Sequence, residues 1–238
     1  MSSSHSLIRV LSEFELRVRE LNTALALEAA RKSTLAAPNS PCGQRASALR
    51  LGYARRLWFL TPVPAEAFLH AGNRVATIAV QALRPILAAR ALFACRDAIR
   101  RCVDRQTKCA LSLSIGPTAF AALQAHALTS TSGGPLPDDL TADGLARLGW
   151  ASMLADGACA HPTLRRMVEL ELDFAAGRDV WQNVLTAERD TLLKASGVCA
   201  DGVTRGRGGK AAATGTNATD AFFSIAGLLF PEFQWLFG

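Results

Sequence analysis

Apolar side chains recur at three- and four-residue steps along most of this chain, a period that predicts helices. Leu7, Val10, Leu11, Phe14, Val18, Leu21, Leu25 and Ala29 keep that rhythm, so residues 7–35 are expected to form a first helix. Arg17, Arg19, Glu20 and Glu28 fit its wetter sides. Residues 36–43 (AAPNSPCG) hold two prolines and a glycine and are expected as a loop. Further helices are expected over 45–60, ending at Thr61-Pro62-Val63-Pro64, and over a short segment after Pro64 that holds Ala67, Phe68 and Leu69. A strongly apolar helix over 74–92, with Pro85 as a kink or break, continues into an Arg-rich helix over 93–113. Gly116-Pro117 interrupts the pattern and 118–128 forms the next helix.

Residues 129–140 (TSTSGGPLPDDL) read as a linker. Beyond it, Thr141 and Asp143 suit a helix start, that helix runs to about Leu154, and His161-Pro162-Thr163 opens another. Residues 164–174 carry two periods at once. Leu164, Met167, Val168, Leu172 and Ala175 match a helical face, whereas Val168 to Phe174 (VELELDF) alternates as a strand would. Helix is favoured because no second strong strand stands nearby to pair with it, and one short strand or hairpin near 168–174 is the alternative. Residues 177–195 again step helically through Val180, Trp181, Val184, Leu185, Glu188 and Leu192. Residues 196–219, rich in Gly, Ala and Thr, offer little to bury and are expected as a flexible linker.

The pattern gives an all-α protein without internal repeats. Its expected parts are a basic helical part (1–128), a linker (129–140), an acidic helical part (141–195), a second linker (196–219) and a tail (220–238). Composition supports the class: half of the 238 residues are apolar but only 7% are aromatic, so the core must rest on Ala, Leu and Val. Ala and Leu favour helices, and β-favouring residues are sparse. The tail is the exception, with six of the sixteen aromatic residues: Phe222, Phe223, Phe230, Phe233, Trp235 and Phe237. Such a group either closes its own core or anchors a partner.

The net charge of +6 is unevenly spread. Residues 45–108 hold twelve basic and three acidic side chains, and residues 138–190 hold ten acidic and five basic. The two halves can pair within one fold or face different partners, and internal pairing is favoured. No secretory signal is read at the start. The uncharged stretch 109–129 is broken by Gly116-Pro117, and the apolar end from residue 221 is short for a membrane span. A cytosolic protein is expected. Six scattered cysteines then read as reduced thiols.

No motif brings recognisable chemistry. Cys95, Cys102 and Cys109 recur every seven residues, and seven helical residues rise about 10.5 Å, too far to share a metal. The spacing suits a packing stripe instead. Gly206-Arg207-Gly208-Gly209-Lys210 looks like a phosphate loop, but Thr204 replaces the first glycine of that motif and Ala211 the magnesium-holding hydroxyl. Ser114-Ile115-Gly116 is not a nucleophile elbow. Neither an enzyme nor a cofactor, metal or small-molecule substrate is expected. Arg90, Arg96, Arg100, Arg101, Arg105 and Lys108 could grip nucleic acid, but they lack a helix-turn-helix partner and stacking aromatics. A protein-facing or solvated helix is the favoured reading, and a helical nucleic-acid-binding regulator is the alternative. The residues singled out for partner binding are Arg96, Arg100, Arg101 and Arg105, with Phe230, Phe233, Trp235 and Phe237 of the tail.

Several segments carry a resemblance. Residues 60–70 (LTPVPAEAFLH) are followed some thirty residues on by Arg100-Arg101-Cys102-Val103-Asp104 and then by residues 111–123 (LSLSIGPTAFAAL). Leu148-Gly149-Trp150 and residues 164–172 (LRRMVELEL) complete the order. This series is similar to the SctK (YscK-like) family of type III secretion K subunits, particularly its Hrp counterparts in plant-associated β- and γ-proteobacteria. The likeness spans roughly residues 50–175. It implies a mostly helical cytosolic adaptor without cofactor or catalytic residue, peripheral at the inner membrane. Such a subunit links the cytoplasmic domain of the inner-membrane ring protein (the D subunit) to the Q-subunit pods of the sorting platform. The L subunit and the export ATPase lie further inward.

Overall fold

The computed structural model describes residues 2–36, 48–49, 51–52, 55–56, 59, 61–126, 134–178 and 218–237. Among these residues all repetitive structure is helical. A long helix α1 (Ser2–Ala36) leads to a 3-10 turn (Ala65–Leu69), a single-turn helix α2 (Ala71–Arg74) and a second 3-10 turn (Val75–Thr77). Next come α3 (Val80–Phe93), α4 (Arg96–Arg101), α5 (Arg105–Ile115) and α6 (Pro117–His126). The remaining helices are α7 (Ala142–Ala155), α8 (Pro162–Ala175), α9 (Ala218–Leu229) and, after a 3-10 turn at Pro231–Phe233, α10 (Gln234–Phe237).

The centre of the molecule is α3. Its sequence is apolar on every side from Ile86 to Phe93 except for Arg90, and each residue of that run is buried, as a helix apolar all round must be. Pro85 lies inside α3 without ending it. The carbonyl that loses its donor is that of exposed Gln81, where water can serve it. The closest partner of α3 is α7, and the approach depends on Gly149. A Cβ there would stand 1.8 Å from the Leu87 carbonyl oxygen and 3.2 Å from the Ala91 nitrogen.

The other helices complete one apolar core around this pair. Val10, Leu21, Leu25 and Ala29 enter from α1, Leu164, Met167, Val168, Leu170 and Leu172 from α8, and Phe222, Phe223, Ile225 and Leu229 from α9. Residues on both sides of the 129–140 stretch therefore share a single core.

Two sequence expectations change in the fold. The Arg-rich helix expected over 93–113 is interrupted at 94–95 and again at 102–104. At the second break Asp104 caps α5, its carboxylate accepting from the Thr107 and Gln106 backbone nitrogens at 2.7 and 3.3 Å. Asp at that position offers the backbone an alternative to continuing the helix. The cysteine spacing consequently builds no stripe: Cys95 is buried before α4, Cys102 closes α4, and Cys109 is exposed on α5. Residues 164–174 are helical, as favoured, and Glu169 is half-buried where it pairs with Arg165 and Arg166. Glu171 and Asp173 are both buried, because α8 is enclosed on more than one side.

Several expected elements coincide with the helices or lie partly beyond the described residues. Residues 48, 49, 51, 52, 55 and 56 of the expected 45–60 helix are helical. Residues 37–43, 127–133, 179–195 and 196–217 lie outside those described. Helix α9 opens at Ala218, two residues before the expected tail, and Thr219 is already buried in it. Among the described residues no helix is long and apolar enough to cross a membrane.

Charge is paired internally across the two halves. Arg84 meets Asp143, Arg90 meets Asp156 at 2.6 Å, and Arg17 meets Glu171 at 3.3 Å. Within the second half, Arg147 pairs with Asp173 at 3.1 Å. The Arg17–Glu171 contact is a weak one for a buried carboxylate, since neither Glu171 oxygen receives a hydrogen bond. Burial pushes the Glu171 carboxyl up to about 7, with the Arg17 charge offsetting only part of that rise.

An acid whose folded value is raised binds its proton more tightly in the native state than in the unfolded chain. Stability linked to Glu171 is therefore greatest below its ordinary value and falls as pH climbs from about 4.5 to about 7. Glu171→Gln is expected to leave stability unchanged near pH 4.5 and to raise it by up to about 3 kcal/mol at pH 8. Urea unfolding of both proteins at the two pH values reads this difference directly.

Candidate partner-binding surfaces

The arginines singled out from sequence separate into three environments. Arg96 is half-buried and lies over the Phe93 ring, 3.8 Å from its centroid, which makes it a cation–π contact within the chain. Burial, followed by the neighbouring Arg90 charge, holds its guanidinium below the ordinary value. Arg101 is exposed and paired with Asp97 one turn earlier. Arg100 and Arg105 are exposed and make no ion pair among the described residues. Between them Val103 is 89% exposed in the turn that joins α4 to α5. On the outer face of α5, Arg105, Gln106, Cys109 and Leu113 are all exposed, the last by 81%.

Arg90, counted with this basic run in the sequence, belongs elsewhere. It is buried in α3, donating from Nε to the Thr219 hydroxyl at 3.0 Å and from a terminal nitrogen to Asp156 at 2.6 Å. Thr219 in turn donates to Asp156 at 2.5 Å. Burial pushes the Asp156 carboxyl up, but the bonds from Thr219 and Arg90 outweigh it and hold the group below its usual range. The three side chains join the central helix, the end of α7 and the start of α9. A lone arginine in an apolar helix was the sequence signal for this network, since a buried guanidinium requires a carboxylate.

The aromatic tail docks on its own chain. Phe222, Phe223, Phe230 and Leu236 are buried. Phe93 meets Phe222 edge-on at 5.7 Å, and Phe223 stacks on Phe237 at 5.3 Å. Arg9 of α1 covers the Trp235 ring at 4.0 Å. Arg74 donates to the Leu236 carbonyl at 2.9 Å and Ser6 to that of Trp235 at 3.1 Å. Of the four tail residues singled out for partner binding, Phe230 is enclosed, whereas Phe233, Trp235 and Phe237 keep part of their surface open.

Depressions among the described residues include two beside these elements. A groove of about 590 Å³ opens where the tail's turn meets the Gly116-Pro117 bend, lined by Pro85, Ile115, Leu229 and Phe230 among others. Gly116 takes φ of 89° there, a left-handed value that suits glycine and ends α5. A smaller one, about 300 Å³, is bordered by His70, Asp156, Cys159 and Asp220. Burial pushes the Cys159 thiol up to about 12, so it is no thiolate nucleophile at neutral pH. Among the described residues no group of three His, Cys, Asp or Glu side chains converges as a metal-ligand set.

Comparison with known proteins gives a match to a family model. The model of the HrpB4 family, described as a bacterial type III secretion protein, matches residues 4–198. No curated protein and no solved structure matches the chain. The matched span takes in α1 from its third residue and all of α2 to α8, and covers well over half of the sequence. The chain belongs to the HrpB4 family of bacterial type III secretion proteins.

Proposed function

We propose that this protein is a non-enzymatic cytosolic adaptor of the type III secretion sorting platform. It links the cytoplasmic domain of the inner-membrane ring protein to the Q-subunit pod, and through the pod to the L subunit and the export ATPase. The observation that carries this reading is the family match to type III secretion proteins over residues 4–198. The segments that resemble the K subunit lie within that span. An adaptor needs separate outward faces rather than a shared pocket. One face is assigned to Arg100, Arg101 and Arg105, and another to the open edges of Phe233, Trp235 and Phe237, with Arg96 and Phe230 supporting each from beneath.

Among the described acids of the second half, Asp143, Asp156, Glu169, Glu171 and Asp173 already meet arginines within the chain, so no face is assigned to them. The reading is tested by bridging: the ring protein's cytoplasmic domain, immobilised, should retain the Q subunit only when this chain is added.

A further inference from the structure

The turn between α4 and α5, with the outer face of α5 that follows it, combines two features that a solvated surface does not need together. Val103 and Leu113 are the two most exposed large apolar side chains among the described residues, at 89% and 81%. Within residues 97–113 the basic side chains are Arg100, Arg101, Arg105 and Lys108, against only Asp97 and Asp104. Both acids are already engaged, Asp97 with Arg101 and Asp104 with the start of α5. Asp104 also accepts from the Thr107 hydroxyl at 2.6 Å, so the turn is held in place before any partner arrives. A preformed turn loses little entropy on binding.

From this geometry we infer that the α4–α5 corner is the docking site for an acidic, amphipathic segment of a partner protein. Apolar side chains of that segment cover Val103 and Leu113, while its carboxylates meet Arg100 and Arg105. Charge complementarity selects the occupant. Nucleic acid fits less well: two unpaired arginines neutralise far fewer phosphates than the roughly 6–10 of a typical duplex contact, and apolar Val103 and Leu113 would meet only water or sugar. The outer face of α5 also lacks an aromatic ring on which bases could stack.

The inference deepens the adaptor reading and rests on it only for the partner's identity. Its test places the photo-crosslinking residue p-benzoylphenylalanine at position 103 of the full chain in the native bacterium. A control carries it at position 27 on α1, where Leu27 is also exposed. The expected result is an adduct from position 103 with an acidic segment of the ring or pod protein. Arg100→Glu with Arg105→Glu should lower its yield at least tenfold, and Arg19→Glu should leave it within twofold. Since Arg100 and Arg105 make no ion pair among the described residues, the double variant should keep its melting temperature, which circular dichroism checks.

An adduct that ignores the charge reversal, an adduct with nucleic acid or with proteins outside the secretion system, or no adduct at all would overturn the docking site. If bridging between ring and pod nonetheless persists, the adaptor reading stands without it. If bridging is absent while position 103 still captures an acidic secretion protein, the adaptor reading fails and the docking site stands.

Discussion

A chain ending at residue 198, where the family match stops, is expected to lose cooperative unfolding. The family span excludes the tail, yet the tail supplies Phe222, Phe223, Ile225, Leu229 and Leu236 to the common core. Each of these contributes about 1.5–3 kcal/mol by leaving water. Together they rival the whole stability of a typical domain, about 5–15 kcal/mol. Truncation also removes Thr219 from buried Arg90, and it uncovers Phe93 and the face of α1 beneath Trp235. Loss of a sharp urea transition by circular dichroism, with binding of a dye that reports exposed apolar surface, is the expected outcome. A truncated chain that melts like the full one would show that the tail is dispensable to the fold.

The second large effect is expected at Gly149. Its missing side chain lets α7 rest on the backbone of α3, and an alanine Cβ would meet the Leu87 carbonyl oxygen at 1.8 Å. The obstacle is backbone inside a buried helix, so no rotamer change relieves it. Gly149→Ala is expected to cost about 3 kcal/mol, the upper end of ordinary overpacking, although alanine is the better helix former. For a chain of this size that lowers the melting temperature by roughly 6–12 °C. Gly52→Ala, with nothing within 4 Å of its Cβ position, is the matched control and should leave the melt unchanged.

Much of the fold was legible because helical period and helix punctuation agree. The α1 stripe, the Gly116-Pro117 bend, the Thr141 cap and the His161-Pro162 start all appear where the pattern puts them. The break at 102–104 was harder to read, since Asp104 can sit in an i,i+4 charge pattern as readily as at a cap. The strand-like alternation of residues 168–174 reflects an enclosed helix, in which side chains off the main face are buried too.

The surface was legible only in part. Arg100 and Arg105 stand out in the sequence and in space, but the sequence does not distinguish them from Arg90, whose partners Asp156 and Thr219 lie 66 and 129 residues away. Nor does it reveal that Val103 and Leu113 face outward. Exposure of an apolar side chain is a property of the packed molecule, and the same letters serve a core equally well.

The proposal that one chain joins the membrane ring to the pod is put to the test by the bridging assay. Purified cytoplasmic domain of the ring protein is immobilised, and Q subunit is passed over it with and without this chain. Retention of the Q subunit is expected only in the presence of the chain, with the three proteins eluting together. If the chain binds neither protein, or binds them only one at a time so that each displaces the other, the adaptor account is contradicted.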